Sequence, residues 1–406
     1  MKKFLALLLA LVMALSLVAC GKDKEPAAPA DGESEEPVTL TLALRGGTYA
    51  DVIQGCLADF EAEHNCKCEV LALEEDDLHS KVALDAMNAE GSYDLCMVDG
   101  SWMAEYTSAG VLANLSEMGY SFDSDVIKAT TAISYYDGDI YLAPYYGNVT
   151  VLMYNKTNVG DAAMDNLDDM LAICEKAQAD GKLGFIYRGD TENNTVVDFL
   201  SVLLSFGGWV IDENNQPTVN TPEFKKAVEF YQKLIATGTA QKKDDLIASI
   251  GSGAGTMAIG WPGWYQADAD MDYTAITGVA SAGDTAYNAN VAGIWTIGIP
   301  ANSKNSELAL KLLEYLMDKD VQFATIPAGG VPCRYSSLQD ASVLADHPQF
   351  AAVCQALEGC KYRPVIEEWT DFYTILGTEL GQIFAGTKSV DDGLSAAQAS
   401  LEALMG

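Results

Sequence analysis

Short strand-like segments alternate with helical patterns over the first third of the part of the chain that follows an N-terminal leader. Val38–Leu44, Cys68–Leu73 and Leu95–Val98 are apolar and rich in the residues of buried strands. Between them, apolar residues recur every three or four positions in Val52–Phe60 and Leu78–Met87, the spacing of one buried helix face. This alternation predicts βαβ units, an α/β fold class and a mostly parallel sheet.

Length and charge narrow the possible functions. A chain of 406 residues exceeds one ordinary core, so we expect two domains. The net charge of −34 argues against nucleic acid as a partner, because phosphates are neutralised by clustered Lys and Arg. Three histidines leave little material for metal binding or acid–base chemistry. We therefore expect no catalytic residues, no metal and no cofactor.

The N-terminus has the pattern of an export signal. Lys2 and Lys3 precede the apolar run Phe4–Ala19, which is shorter than the roughly 20 residues of a membrane-spanning helix. The run ends in Leu-Val-Ala-Cys-Gly, which resembles the lipobox of bacterial lipoproteins. That resemblance implies a signal peptide at 1–19 and lipidation of Cys20, which anchors the protein outside the cell. A plain secretory signal with an incidental cysteine is the alternative.

The segment after the signal is expected to be a tether. Residues 20–37 are rich in Pro, Ala and charged residues and have no large apolar residue, so they cannot form a core. Eight further cysteines are scattered through the remaining chain without the spacing of a disulfide framework or a zinc site. We expect most of them to be buried free thiols.

Five stretches of the remaining chain carry a recognisable pattern. They are Tyr93–Leu112, Leu142–Lys156, Gly253–Trp264, Gly293–Lys304 and Gly386–Ala397. In this order they resemble the family 1 extracellular solute-binding proteins of ABC importers, the maltose-binding-like class. The resemblance implies a two-lobed periplasmic-binding-protein-like fold of type II, with discontinuous lobes joined by hinge strands. It places lobe 1 at 38–148 plus 291–333 and lobe 2 at 149–290 plus 334–406.

The same resemblance implies a function without catalysis. We expect a lipid-anchored receptor on the extracellular face of the bacterial cytoplasmic membrane that captures a small solute by hinge closure. The solute is expected to be a mono- or oligosaccharide, delivered to the transmembrane subunits of an ABC permease. A carboxylate-bearing solute or a polyamine stays open. An exported carbohydrate-active hydrolase is a further alternative, and it requires two converging carboxylates about 5 to 9.5 Å apart.

Aromatic residues are the first candidates for binding a sugar. The C–H faces of sugars stack on aromatic rings, and their hydroxyls bond to Asp, Asn and Arg. Within the family pattern, the candidate stacking residues are Trp102, Trp261, Trp264, Trp295 and Trp369. Packing in the core is an equally good interpretation of each of them.

Polar candidates lie at strand ends and at the crossover between the lobes. Asp99 follows a strand, and α/β folds bind ligands at the carboxyl ends of strands. Tyr145 and Asn148 lie in the crossover. Arg45, one of four arginines, opens the segment Arg-Gly-Gly-Thr-Tyr that ends at Tyr49. Its guanidinium could hold hydroxyls or clamp a carboxylate, whereas a surface arginine paired with an acid is the alternative.

Overall fold

The computed structural model describes residues 37–278 and 289–406, so the signal peptide, Cys20 and nearly all of the predicted tether lie outside the described residues. The strands are β1 Val38–Arg45, β2 Cys66–Leu73, β3 Leu95–Asp99, β4 Tyr135–Tyr136, β5 Asp139–Ile140, β6 Ala143–Tyr146, β7 Val151–Asn155, β8 Leu183–Tyr187, β9 Thr239–Ala240, β10 Gly255–Gly260, β11 Met271–Thr274, β12 Val291–Ala292, β13 Trp295–Gly298 and β14 Lys361–Tyr362.

The helices are α1 Thr48–Gln54, α2 Leu57–His64, α3 Glu75–Asp85, α4 Met103–Ser108, α5 Lys128–Thr131, α6 Lys156–Val159, α7 Leu167–Ala179, α8 Glu192–Ser205, α9 Pro222–Ile235, α10 Lys243–Ser252, α11 Ser306–Leu316, α12 Lys319–Thr325, α13 Tyr335–Leu338, α14 Ala341–Asp346, α15 Phe350–Glu358, α16 Trp369–Phe384 and α17 Val390–Met405. Short 3₁₀ turns include Gly100–Trp102 and Pro262–Trp264.

The first sheet has five strands in the order β2-β1-β3-β13-β6. Strands β1, β2 and β3 are parallel, as the alternating sequence pattern predicted. Strand β13 is antiparallel to both β3 and β6. It starts with Trp295 opposite Asp99, the last residue of β3, so it enters the sheet at the edge where β3 ends and must run in the opposite direction. Strand β6 consequently runs in the same direction as β1, β2 and β3, so the expectation of a mostly parallel sheet holds for four of the five strands, with β13 reversed.

The second sheet also has five strands, in the order β11-β7-β10-β8-β9. Strands β10, β8 and β9 are parallel, and β7 is antiparallel to β10 and β11. Side chains of β7 alternate between two hydrophobic clusters, with Val151 and Met153 in one and Leu152 in the other. Both faces of this sheet are consequently covered.

A short ribbon lies between the two sheets. Strands β12 and β14 pair in parallel, and the backbone N–H of Thr150 donates to the carbonyl of Val291 at 2.9 Å. Three segments that connect the sheets, at Thr150, β12 and β14, therefore lie side by side. Helix α15 contacts both α5 and β11, and its Val353 and Leu357 belong to the first cluster. The predicted lobe limits stay a prediction, and these contacts favour a third crossing at β14 instead of at 333/334.

The turn after β1 explains how the first strand leads to the site. Gly47 precedes α1 with φ 73° and ψ −148°, a conformation that L side chains rarely adopt. The turn reverses the chain within two residues and places Tyr49 near Arg45. The sequence pattern over Val52–Phe60 forms two helices, α1 and α2, because the first helix ends at Gly55, a poor helix former.

Two chain-wide features bear on the sequence predictions. Within residues 37–278 and 289–406, no helix has both the length and the apolar character that crossing a membrane requires. The eight cysteines of this region are free thiols, and five of them are buried: Cys66, Cys96, Cys174, Cys333 and Cys354.

Candidate functional site

A cavity of about 290 Å³ lies where the carboxyl ends of strands from both sheets meet. Arg45 and Asp99 end β1 and β3, while Arg188 and Trp261 directly follow β8 and β10. This is the position at which α/β folds bind ligands. The lining residues are Arg45, Tyr49, Glu75, Asp99, Asn148, Arg188, Asp190, Asn193, Asn194, Val197, Lys243, Trp261, Trp264, Gly293, Trp295 and Arg363.

Seven of the ten predicted ligand-binding residues line this cavity: Arg45, Tyr49, Asp99, Asn148, Trp261, Trp264 and Trp295. Three do not. Trp102 is buried behind the wall and packs edge-on against Trp295, with ring centroids 5.5 Å apart. Tyr145 is buried in the first hydrophobic cluster, and Trp369 stacks on Phe372 in the second. For these last two residues the core interpretation fits the structure.

The aromatic wall of the cavity is made by three tryptophans and Tyr49. The ring of Tyr49 lies 5.5 Å from that of Trp295 and 4.6 Å from that of Tyr146. Trp261 directly precedes the 3₁₀ turn after β10, Trp264 is the last residue of that turn, and both reach the cavity. Flat apolar faces of this kind suit the C–H faces of a sugar ring.

Charged side chains on the first-sheet side form three ion pairs, two by Arg45 and one by Arg363. Arg45 Nη1 donates to Glu74 Oε2 at 3.0 Å, and its Nε lies 3.9 Å from Glu75 Oε2. Arg363 Nη2 donates to both carboxylate oxygens of Asp99, at 2.5 and 2.8 Å. Burial opposes the charge of Arg363, but Asp99, together with Glu75 and Tyr373, outweighs this and raises the pKa of the guanidinium.

The second-sheet side is organised around Arg188. Its Nε donates to both oxygens of Asp198 at 3.2 Å, its Nη2 also donates to Asp198, and its Nη1 donates to Asn194 Oδ1 at 2.8 Å. The hydroxyl of Thr191 caps the N-terminus of α8 by accepting a hydrogen bond from the backbone N–H of Asn194. This bond fixes the position of Asn194 at the start of the helix. Asn194 in turn donates to Asp190 at 2.8 Å. The guanidinium carbon of Arg188 lies 5.2 Å from the ring centre of Trp264.

The charges around the cavity nearly cancel. The lining has four cationic side chains, namely Arg45, Arg188, Lys243 and Arg363, and three anionic ones, Glu75, Asp99 and Asp190. Asp198, beneath Arg188, is the fourth carboxylate. The cavity is thus almost neutral, although the whole chain has a net charge of −34.

Two amides offer unused acceptors at this cavity. The side-chain oxygens Oδ1 of Asn148 and Asn193 are buried and have no hydrogen-bond partner among the described residues. Such groups are costly unless they are paired.

Within the described part of the chain, no group of three or more His, Cys, Asp or Glu side chains could hold a metal ion.

Sequence reasoning missed nine lining residues: Glu75, Arg188, Asp190, Asn193, Asn194, Val197, Lys243, Gly293 and Arg363. One signal was available. The chain has only four arginines, and three of them line this one cavity. Arg188 also follows a strand, as Arg45 and Asp99 end theirs, so scarcity and position together indicated it. Arg363 follows the two-residue strand β14, which is too short to recognise from sequence.

Comparisons with known proteins agree with this architecture. Residues 46–323 match the family described as "Bacterial extracellular solute-binding protein". The chain is 26% identical to the diacetylchitobiose-binding protein DasA of Streptomyces coelicolor, with 88% of this chain and 87% of that protein aligned. It is 24% identical to a mannitol-binding protein of Pseudomonas aeruginosa, covering 89% of this chain and 92% of that one.

Solved structures show the same fold. Maltose-bound MalE3 of T. maritima superposes with a TM-score of 0.80 at 22% identity, over 90% of this chain and all of that chain. A solute-binding protein of Agrobacterium radiobacter in complex with ribitol gives a TM-score of 0.79 at 22% identity, over 90% of this chain and 98% of that one. The fold is therefore the two-lobed α/β fold expected from the sequence.

Proposed function

Because the chain belongs to the bacterial extracellular solute-binding proteins, we propose that it captures an uncharged solute, either a sugar of one or two rings or an acyclic polyol, for an ABC importer. The family and the similar proteins bind substrates and are not enzymes. The chain is likewise a binding protein, and the alternative of an exported hydrolase is wrong.

The observation that supports an uncharged solute is the balance of charge around the cavity. Each of the three cavity arginines already has a carboxylate partner. Paired charges leave no excess charge that would attract an ion, and the unpartnered oxygens of Asn148 and Asn193 can accept hydrogen bonds from hydroxyl groups. The three tryptophans supply the stacking surface. A volume of about 290 Å³ lies at the lower end of the usual range for ligand pockets, roughly 300 to 1,000 Å³, and favours a short solute.

A carboxylate-bearing solute is the second candidate. Its support is the gathering of three of the four arginines of the chain at one cavity. Arginine binds carboxylates in a bidentate manner, but an already paired guanidinium has less to gain from a second anion. A polyamine is disfavoured, because the lining has more cationic than anionic side chains.

Isothermal titration of the protein tests the solute class. We would titrate maltose, D-mannitol, N,N′-diacetylchitobiose, D-glucuronate and spermidine in turn. We expect binding of at least one of the first three, with weaker or no binding of the charged compounds. Binding of glucuronate alone would support the second candidate, and silence of all three uncharged compounds contradicts the proposal.

A matched pair of variants tests whether this cavity is the site. Trp264→Ala removes a ring from the wall, whereas Trp209→Ala removes a similarly half-buried ring that does not line the cavity. We expect a loss of affinity in the first variant only. Equal affinities of the two variants for the solute would show that the solute binds outside this cavity.

Anchoring and delivery complete the proposal. Cys20 carries the lipid, residues 20–37 tether the folded part, and closure of the lobes about the ribbon of β12 and β14 presents the loaded protein to a permease. Expression in a Gram-positive host with and without a Cys20→Ser substitution tests the anchor. We expect the wild-type protein in the membrane fraction and the variant in the medium; retention of both on the membrane would exclude lipidation at Cys20 as the anchor.

A further inference from the structure

The three cavity arginines differ in how many of their N–H groups are already used. All three nitrogens of the Arg188 guanidinium donate to Asp198 or Asn194. Arg45 donates one hydrogen bond, from Nη1 to Glu74, and its Nε lies 3.9 Å from Glu75, beyond hydrogen-bond distance. Arg363 uses only Nη2, which donates to Asp99, and its buried Nε has no hydrogen-bond partner among the described residues. Arg45 also keeps free donors, but 22% of its side chain is exposed, so water can satisfy them. Only 9% of the Arg363 side chain is exposed, so Arg363 is the buried cavity arginine with a donor left for a solute.

Asp99 has the opposite property, because its oxygens are heavily used. Its Oδ1 accepts from the backbone N–H of Ser101 at 2.9 Å, from the Ser101 hydroxyl at 2.8 Å and from Arg363. Its Oδ2 accepts a second bond from Arg363. Three of these four bonds go to Oδ1, so Oδ1 is fully used and one acceptor site remains on Oδ2. Asp99 is thus a fixed support for Arg363, with little capacity left for a solute.

Gly293 lies beside Arg363 and has no side chain to fill the space next to it. A Cβ at Gly293 would lie 2.8 Å from the ring of Trp261 and 3.7 Å from Nη2 of Arg363. The tryptophan ring and the guanidinium therefore meet over Gly293, at the wall of the cavity. A stacking surface and a planar donor at one place form the arrangement that a sugar ring with adjacent hydroxyls requires.

We propose that Arg363 is the arginine that binds the solute, by donating hydrogen bonds from its guanidinium to two adjacent hydroxyl oxygens, and that Asp99 is the positioning residue that holds it. This inference rests on the proposed function and specifies which charged residue recognises the sugar or polyol. Arg45, the arginine singled out from the sequence, becomes a residue of the rim.

The scarcity of arginine makes a direct test available. With [¹⁵N]arginine labelling, the protein gives four Nε–H resonances, assigned by Arg→Lys substitution at each of the four positions. Maltose, D-mannitol and N,N′-diacetylchitobiose are titrated in turn. With any of them that calorimetry shows to bind, we expect the Arg363 resonance to shift and saturate at the calorimetric dissociation constant, while that of Arg334 stays in place. A static Arg363 resonance beside a shifting Arg45 or Arg188 resonance overturns the inference.

Substitutions separate recognition from folding. Arg363→Lys keeps the charge but loses the planar donor set of a buried pair, so we expect an affinity about 10- to 100-fold lower together with a lower melting temperature. Arg334→Lys is the matched control, because Arg334 is also buried and paired with aspartates but lies outside this cavity. We expect it to lower the melting temperature and leave affinity unchanged. Wild-type affinity in a folded Arg363→Lys protein contradicts the inference and leaves the proposed function intact.

The role of Asp99 is tested by a double-mutant cycle. Asp99→Asn weakens the support of Arg363, so we expect it to lower affinity and to shift the Arg363 resonance in the absence of solute. If Asp99 acts through Arg363, the double variant binds no more weakly than Arg363→Lys alone. Effects that multiply in the double variant would show that Asp99 acts independently. A wild-type protein that binds none of the three compounds would instead contradict the proposed function itself.

Discussion

Two buried arginine–aspartate pairs line the same cavity and yet have different uses. In the pair Arg188–Asp198, 10% and 1% of the side-chain surfaces are exposed, and in the pair Arg363–Asp99 the values are 9% and 6%. Burial and charge are therefore alike. Every nitrogen of the first guanidinium donates a hydrogen bond, whereas only Nη2 of the second does and its Nε has no partner among the described residues. The number of uncommitted donors, more than charge or burial, separates a structural arginine from one that can bind.

The two pairs also differ in the parts of the chain that they connect. Arg188 and Asp198 are ten residues apart and join the end of β8 to helix α8, within one segment of the fold. Arg363 and Asp99 are 264 residues apart, and they join the residue after β14 to the end of β3. The first pair fixes a local loop. The second links the ribbon between the sheets to the first sheet, so a solute bound there contacts both.

The largest expected effect comes from breaking the structural pair. Asp198→Ala leaves Arg188 buried without its counter-ion, so we expect a loss of about 3–5 kcal/mol in the free energy of unfolding. Urea denaturation measures it. Glu74→Ala, which removes an exposed partner of Arg45, is the control and should change the free energy by less than about 1 kcal/mol. A similar loss in the free energy of unfolding for both variants would show that the Arg188–Asp198 pair does not stabilise the fold as proposed.

Two of the three cavity tryptophans lie against the two arginines, and substituting them tests the same comparison. Trp261 lies beside Arg363, and Trp264 lies under Arg188. We expect Trp261→Ala to cost about 2 kcal/mol of binding, roughly 30-fold in affinity, with little loss of stability. Trp264→Ala should in addition lose about 1 kcal/mol of stability, because it removes a cation–π contact of a buried guanidinium. Calorimetry and urea denaturation of both variants test this, and equal stability losses would contradict it.

The sequence predicted the fold better than it predicted the site. Strand-to-helix alternation indicated the parallel core of β1, β2 and β3, and family resemblance indicated the two lobes. Antiparallel β13 could not be predicted, because its direction depends on where a distant crossing segment enters the sheet. The same limit applies to Arg363. Its two-residue strand β14 has no periodicity, and its partner Asp99 lies 264 residues away.

Aromatic candidates show the other limit of sequence reasoning. Trp295 and Trp369 are both buried, with 4% and 2% of their surfaces exposed, yet one lines the cavity and the other stacks on Phe372 in a core. Composition and motif position describe both equally well. Only the packing of α16 against α8 and α17 places Trp369 among core residues.

A smaller effect is expected at the rim. Arg45→Ala removes an arginine whose main partner, Glu74, has 86% of its side chain exposed. Exposed pairs contribute about 0–1 kcal/mol, so we expect the free energy of unfolding to fall by about 0.5 kcal/mol or less. Affinity for an uncharged sugar should fall less than about threefold. An affinity loss as large as that of Arg363→Lys, measured by the same titration, would reverse the roles assigned to the two arginines.

The smallest expected effect concerns Glu75, which interacts with both the binding arginine Arg363 and the rim arginine Arg45. Burial, and then repulsion from Asp99, raise the pKa of Glu75 above its ordinary value of 4.5, against the opposing attraction of Arg363 and Arg45. The folded protein therefore binds this proton more tightly than the unfolded chain does. Stability falls as the pH rises from the ordinary pKa through the raised one, and above it the ionised carboxylate is a standing cost.

Glu75→Gln removes that cost. The variant should melt slightly above the wild type near pH 7, and the difference should disappear near pH 4, where the wild-type carboxyl is protonated in both states. About 37% of the Glu75 side chain is exposed, so solvent reduces the effect below that of the larger changes above. Thermal melts from about pH 4 to pH 8 measure it, with Glu74→Gln as the exposed neighbouring control. If the melting difference of Glu75→Gln is the same at every pH, folding does not shift the pKa of Glu75, and its ionised carboxylate is not the cost assigned to it here.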